Sequence, residues 1–120
     1  MRDFKKYHVW KTSHQLALSS YKMTSSFPKE EIFGITSQIR RASTSIPSNI
    51  AEGCGRESDP DFRRFLYIAF SSASELEYLF ILSKDLGHIT NSDFEVHSNN
   101  VREVKKMLTS LIKKLSNPDS

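Results

Sequence analysis

Apolar residues recur at three, four or seven positions along most of the chain, and nowhere do they alternate for long with polar ones. That spacing is the 3.6-residue period of an amphipathic helix and not the two-residue period of a half-buried strand. Val9, Leu16 and Met23 lie seven apart, with Trp10, Ala17 and Thr24 beside them. They predict a first helix over about 7–26, stopped at Phe27-Pro28. Pro28 suits the first turn of a second helix over about 28–53, with Glu30 and Glu31 at the positive end of its dipole. Its seam is Ile32, Ile39 and Ile46, interleaved with Ile35, Ala42 or Ser43, and Ile50, and Gly53 and Gly55 are its expected stops. Pro47 inside it removes a backbone donor, frees the carbonyl of Ser43 and predicts a kink. Ser58-Asp59-Pro60-Asp61 offers a cap, an N1 proline and an early acid to a third helix over about 60–86, closed by Gly87. Thr90-Asn91-Ser92-Asp93 can cap a fourth over 91–116, whose seam is Phe94, Val101, Leu108 and Leu115. The expected fold is all-α: an antiparallel up-down four-helix bundle, a single domain over residues 1–120.

Composition narrows the class further. With 120 residues, 38% of them hydrophobic and 26% charged, the chain falls among globular domains and outside the disordered and collagen-like classes. One cysteine cannot form an intrachain disulfide. No run of about 18 apolar residues is present, and Met1-Arg2-Asp3-Phe4-Lys5-Lys6-Tyr7 is charged where a signal peptide is apolar. A reduced, cytoplasmic protein without membrane contact is expected. The net charge of +3 is unevenly spread: residues 1–56 hold nine Lys/Arg and four Asp/Glu, residues 57–120 eight and ten. Such an asymmetry attracts an acidic partner such as RNA, or is a solvated surface whose halves neutralise each other.

The third helix has two apolar faces. Phe62, Phe65, Leu66, Ala69, Ala73, Leu76, Leu79 and Phe80 share the broad side that must be core. Tyr67, Phe70, Tyr78 and Ile81 fall nearly opposite, flanked by Arg63 and Arg64. A four-helix monomer cannot bury both sides, so this column is a candidate oligomer interface. The alternative is that the N-terminal arm, with Phe4, Tyr7 and Trp10, folds over it. On the second helix Gln38, Arg41, Ser45, Asn49 and Glu52 recur every three or four positions and line one polar side. Charge-assisted bonds between helices or subunits, or simply a polar helix end, account for such a column.

The run Phe27-Pro28-Lys29-Glu30-Glu31-Ile32-Phe33-Gly34-Ile35-Thr36-Ser37-Gln38-Ile39-Arg40-Arg41-Ala42 is followed by Ser45-Ile46-Pro47-Ser48-Asn49-Ile50-Ala51-Glu52-Gly53 and Gly55-Arg56. It resembles the signature of the bacterial four helix bundle protein family, also named 23S ribosomal RNA intervening-sequence or S23 ribosomal proteins. The likeness continues through Phe62-Arg63-Arg64-Phe65-Leu66, Ile68-Ala69, Ser74-Glu75-Leu76-Glu77 and Leu86-Gly87, nearly the whole chain. The resemblance implies a four-helix bundle assembled into a ring-like homopentamer. It also implies kinship with the accessory proteins of diversity-generating retroelements, basic pentamers that bind nucleic acid and a reverse transcriptase. Ser71-Ser72 stands where the family pattern has Gly-Ser, and Cys54 where a basic residue is common.

Catalytic chemistry finds no support. Glu-x-x-His, the di-metal carboxylate signature of helical bundles, is absent, and His8, His14, His88 and His97 lack paired metal spacing. Nothing pairs Cys54 with a base, and no phosphate-binding loop occurs. No enzyme activity, metal or cofactor is expected. The candidate nucleic-acid contacts are Lys5, Lys6 and Lys11 on the N-terminal segment and Arg40, Arg41 and Arg56 on the second helix and its exit. Lys105, Lys106, Lys113 and Lys114 on the fourth are read first as a solvated outer face. Arg41 is a natural inter-subunit partner for Glu52 or Glu77. The expected function is a non-catalytic homo-oligomer that binds RNA or DNA backbone through basic surfaces. The alternative is a homo-oligomeric scaffold or adaptor for a protein partner, without nucleic acid.

Overall fold

A computed structural model of the chain describes residues 2–116. Local chemistry places the helix ends within them. Ser58 Oγ accepts the Asp61 N–H at 3.2 Å and Pro60 sits in the first turn, which starts α3 (Asp59–Asp85). Thr90 Oγ1 accepts the Asp93 N–H at 3.0 Å and starts α4 (Asn91–Ser116). Between them Gly87 takes φ 78°, its N–H donating to Lys84 O at 3.0 Å while the His88 N–H donates to Ser83 O at 2.9 Å. This paired return closes α3, and the positive φ needs glycine. The earlier helices are α1 (His8–Thr24) and α2 (Ile35–Cys54), with 3-10 turns at Phe4–Lys6 and Lys29–Glu31.

Each helix runs beside its two neighbours, and among the described residues the backbones of the diagonal pairs α1–α3 and α2–α4 stay more than 8 Å apart, Cα to Cα. Cross-links fix the directions. Arg40 near the start of α2 donates to Thr24 Oγ1 at the end of α1 (2.9 Å), and Arg63 near the start of α3 donates to Leu115 O near the end of α4 (2.9 Å). The result is an antiparallel four-helix bundle measuring 48 × 22 × 19 Å, with no strand among the described residues. Ile39, Ile46 and Ile50 of α2 face Phe62, Leu66, Leu76 and Phe80 of α3 and Val101, Val104 and Leu108 of α4, all buried. Each such side chain contributes roughly 1.5–3 kcal/mol of transfer free energy. α3 is the one described helix long and apolar enough to cross a membrane, at mean hydropathy 1.3 over 18 residues. Its most apolar face is this core.

Two expectations for α2 are corrected. The helix begins at Ile35, not at residue 28. Pro28-Lys29-Glu30-Glu31 turns tightly, the Glu31 N–H donating to Pro28 O at 2.9 Å, and Glu31 is drawn to His88 Nε2 on the α3–α4 loop at 2.9 Å. The chain must reverse between antiparallel α1 and α2, and this loop makes the reversal. Ile32 therefore leaves the seam and is 53% exposed, and Phe33 beside it is 95% exposed. Gly53 is no stop either. It lies buried inside α2, where a Cβ would come within 2.8 Å of Phe65 Cβ and 2.9 Å of Phe62 Cδ1. Its role is close approach of α2 to α3, and Gly55 takes the C-cap position in ordinary right-handed geometry.

Candidate functional site

Antiparallel packing brings the N-terminus of α1, the C-terminus of α2, the N-terminus of α3 and the C-terminus of α4 to one end. Within about two turns of it lie Arg2, Lys5, Lys6, Lys11, Arg56, Arg63, Arg64, Lys113 and Lys114, nine cations. Against them stand Asp3, Glu52, Glu57, Asp59 and Asp61, five anions. The opposite end balances Lys22, Lys29, Arg40, Arg41 and Lys84 with Glu30, Glu31, Asp85, Asp93 and Glu95, five of each. This end-to-end polarity is separate from the asymmetry along the sequence, since four of the nine cations at the basic end come from residues 57–120.

Within the basic end the cations divide by type. Arg2 bonds Asp59 and donates to Arg56 O at 2.7 Å, its guanidinium 4.4 Å over the Phe62 ring. Arg56 reaches Asp61 at 3.7 Å and Arg64 the same carboxylate at 3.0 Å, and both lie 4.6 Å over Phe65. Arg63 caps α4. The arginines tie the end together, as their planar donors suit. Lys5, Lys6, Lys11, Lys113 and Lys114 are exposed and have no carboxylate partner among the described residues.

The six cations singled out in the sequence therefore do not form one patch. Arg40 is held by Thr24 and lies 4.9 Å over the Tyr21 ring, and Arg41 is exposed near the far end. From Arg41 to the end of α2 the helix rises roughly 20 Å. Lys5, Lys6, Lys11 and Arg56 share the basic end, and Lys113 and Lys114 join them. Lys105 does not, because it pairs with Glu77 at 2.9 Å.

The outward column of α3 carries Tyr67 and Tyr78, each more than half exposed, and exposed Ile81, with Ile68 and Leu86 also exposed. The N-terminal arm does not cover it. Phe4 packs edge-on to Trp10 (5.0 Å) and Tyr7 to Phe62 (5.8 Å), so the arm closes the basic end instead. Phe70 is half-buried under the Lys105 ammonium, 5.0 Å from its ring, and belongs to the α3–α4 contact. Arg63 and Arg64 are engaged within the chain. What the sequence missed is the Ile32-Phe33 tip; its signal was Pro28 and Gly34, punctuation on both sides of a segment taken as helix.

The polar column of α2 splits similarly. Ser45 Oγ meets Ser72 Oγ of α3 at 2.9 Å, and Asn49 Nδ2 donates to Ser45 O (2.8 Å) and Oγ (3.0 Å). These small groups join α2 to α3. Gln38, Arg41 and Glu52 are exposed, with no side-chain bond among the described residues. Glu77 is taken by Lys105 and by Arg102 (3.2 Å), so neither it nor Glu52 holds Arg41 within the chain.

The Lys105 hydrogen bond, and then the Arg102 one, hold the Glu77 carboxyl below its ordinary value of 4.5 despite partial burial. A carboxylate with a depressed folded pKa stabilises above its unfolded pKa, and that contribution disappears as pH falls through the folded value. Glu77→Gln is expected to lower stability by up to about 1 kcal/mol at pH 7, solvent screening being strong there. Urea unfolding of both proteins should show this difference vanish in acid, below the ordinary carboxylate range.

Among the described residues no three His, Cys, Asp or Glu side chains form a metal-binding group. Cys54 is buried, and desolvation pushes its thiol pKa up, away from the reactive thiolate. A cleft of about 570 Å³ opens between the end of α1 and the start of α4, by Met23, His88, Ile89 and Asp93.

The sequence profile of the family described as 23S rRNA-intervening sequence protein matches residues 5–110. The chain belongs to that family. A solved structure agrees: a protein with unknown function from the S23 ribosomal protein family of Bacteroides thetaiotaomicron VPI-5482. It is 33% identical, superposes at TM-score 0.79, and covers 88% of this chain and 98% of its own. No curated protein matches. The family match takes in Lys5, Lys6 and Lys11 and both faces of α2 and α3, and Lys113 and Lys114 follow just beyond it.

Proposed function

We propose that this family member is a non-catalytic, cytoplasmic homo-oligomer that binds the backbone of RNA or DNA through its basic end. The observation that carries the reading is the polarity of the bundle: among the described residues nine cations stand against five anions at one end, five of the cations being lysines without a carboxylate partner, while the other end holds five of each. Phosphate neutralisation by such groups gains from counterion release and carries no sequence readout. Assembly multiplies the effect. The uncovered Tyr67, Tyr78 and Ile81 offer an apolar contact to a neighbouring copy, and a five-membered ring is the assembly that the family resemblance supports.

Anisotropy of a labelled RNA across a salt series tests this. With about five phosphates neutralised per subunit, affinity should fall by about a hundredfold between 50 and 200 mM salt. A protein that ignores both RNA and duplex DNA at low salt refutes the nucleic-acid part and leaves a scaffold that presents the α3 column to a protein partner.

A further inference from the structure

The groove between the start of α1 and the last turns of α4 lies at the basic end. It is a shallow, open depression of about 330 Å³, lined by Tyr7, His8 and Val9 on one side and by Met107, Ser110, Leu111 and Lys114 on the other. Its floor is apolar, since Val9 is buried and Met107 and Leu111 pack against the core. The Tyr7 ring packs edge-on against Phe62, 5.8 Å between centroids. A phosphate gains nothing from such a floor, because it would lose hydration without finding donors.

The surroundings are of the opposite character. Lys114 is on the rim, Lys5 and Lys6 directly precede Tyr7, Lys11 is one turn beyond His8, and Lys113 adjoins Lys114. All five are exposed and unpaired among the described residues. A ligand complementary to this arrangement has a flat apolar body joined to anions on both sides. We propose that the groove holds an unpaired base of a single-stranded nucleic acid, whose flanking phosphates lie along Lys5, Lys6 and Lys11 and along Lys113 and Lys114. A duplex keeps its bases stacked inside and offers the groove nothing. The inference rests on the nucleic-acid reading above and adds the strandedness of the ligand.

Affinity for a labelled single-stranded oligonucleotide and for a duplex of the same length, at one low salt concentration, provides the test. Wild type should bind the single strand at least about tenfold more tightly, the contribution of one stacked base. Ser110→Leu fills the groove from an exposed position without adding a ring for a base to stack on, and His8→Ala removes an exposed wall. Neither touches the core. Ser110→Leu should bring the single strand down to duplex affinity with the duplex unchanged, and His8→Ala should weaken the single strand alone. Equal binding of both ligands, indifferent to Ser110→Leu, overturns the groove and leaves the charged end standing. No binding of either removes both.

Discussion

Gly53→Val is expected to destabilise the fold by about 3 kcal/mol, the upper part of the range for overpacking a closed contact. A thermal unfolding curve should show this as a fall in Tm of about 10 °C. The cause is steric. A Cβ at position 53 meets Phe65 Cβ at 2.8 Å and the Phe62 carbonyl oxygen at 3.3 Å. The first atom is fixed to the backbone and the second is backbone, so neither can swing aside, and α2 must move off α3. Phe62 is fully buried, and its displacement would loosen the contacts of Tyr7 and Arg2 at the basic end. Gly55→Ala is the control: its Cβ approaches nothing nearer than 3.4 Å and its backbone is right-handed, so its Tm should barely change. A normal Tm for Gly53→Val would show that α2 and α3 are not pressed together there.

Tyr78→Arg should convert the proposed assembly to single chains of 13.8 kDa, read as solution mass by light scattering. Tyr67 and Tyr78 are eleven residues, three turns, apart, and Ile81 is one turn further. They form a straight apolar strip on an outward helix face that none of the described residues covers. Burying an unpaired guanidinium in a subunit contact costs about 3–5 kcal/mol, enough to dissociate a contact of ordinary size. Because Tyr78 is exposed in the single chain, the variant should keep wild-type helicity. A monomeric wild type would remove the oligomer from the account. An assembled Tyr78→Arg would place the contact elsewhere, with the exposed Phe33 tip as the next surface to charge.

How far these features were legible in the sequence depends on how local their causes are. Ser58, Pro60, Thr90 and Gly87 act on the backbone within four residues of themselves, so the starts of α3 and α4 could be read directly. The 28–34 loop could not, because Pro28 and the two glutamates are equally good for a helix start and a tight turn. The choice follows from the reversal that antiparallel α1 and α2 require, and the loop is fastened by the contact of Glu31 with His88, 57 residues away. Gly53 was misread for the same reason: a glycine near a helix end looks like a stop unless the facing Phe62 and Phe65 are known. The outward column of α3 was legible from periodicity, but Phe70 and Arg63 were lost from it to partners on α4. Sequence gave no means of telling engaged cations from free ones, since the arginine partners Asp59, Asp61 and Leu115 are defined by packing. The basic end itself follows from topology. An even number of antiparallel helices returns the chain to the end where it started, so Lys5, Lys6 and Lys11 meet Lys113 and Lys114.

The central claim is that position along the bundle, not net charge, decides nucleic-acid binding. Lys5→Glu with Lys6→Glu, at the basic end, and Lys22→Glu with Lys29→Glu, at the balanced end, change the net charge equally. Their RNA affinities across a salt series test the claim most directly. The account predicts that the first pair loses at least about tenfold in affinity, with a slope of log affinity on log salt about 1.4 shallower, and that the second stays near wild type. Equal losses in the two pairs, or none in either, would contradict it.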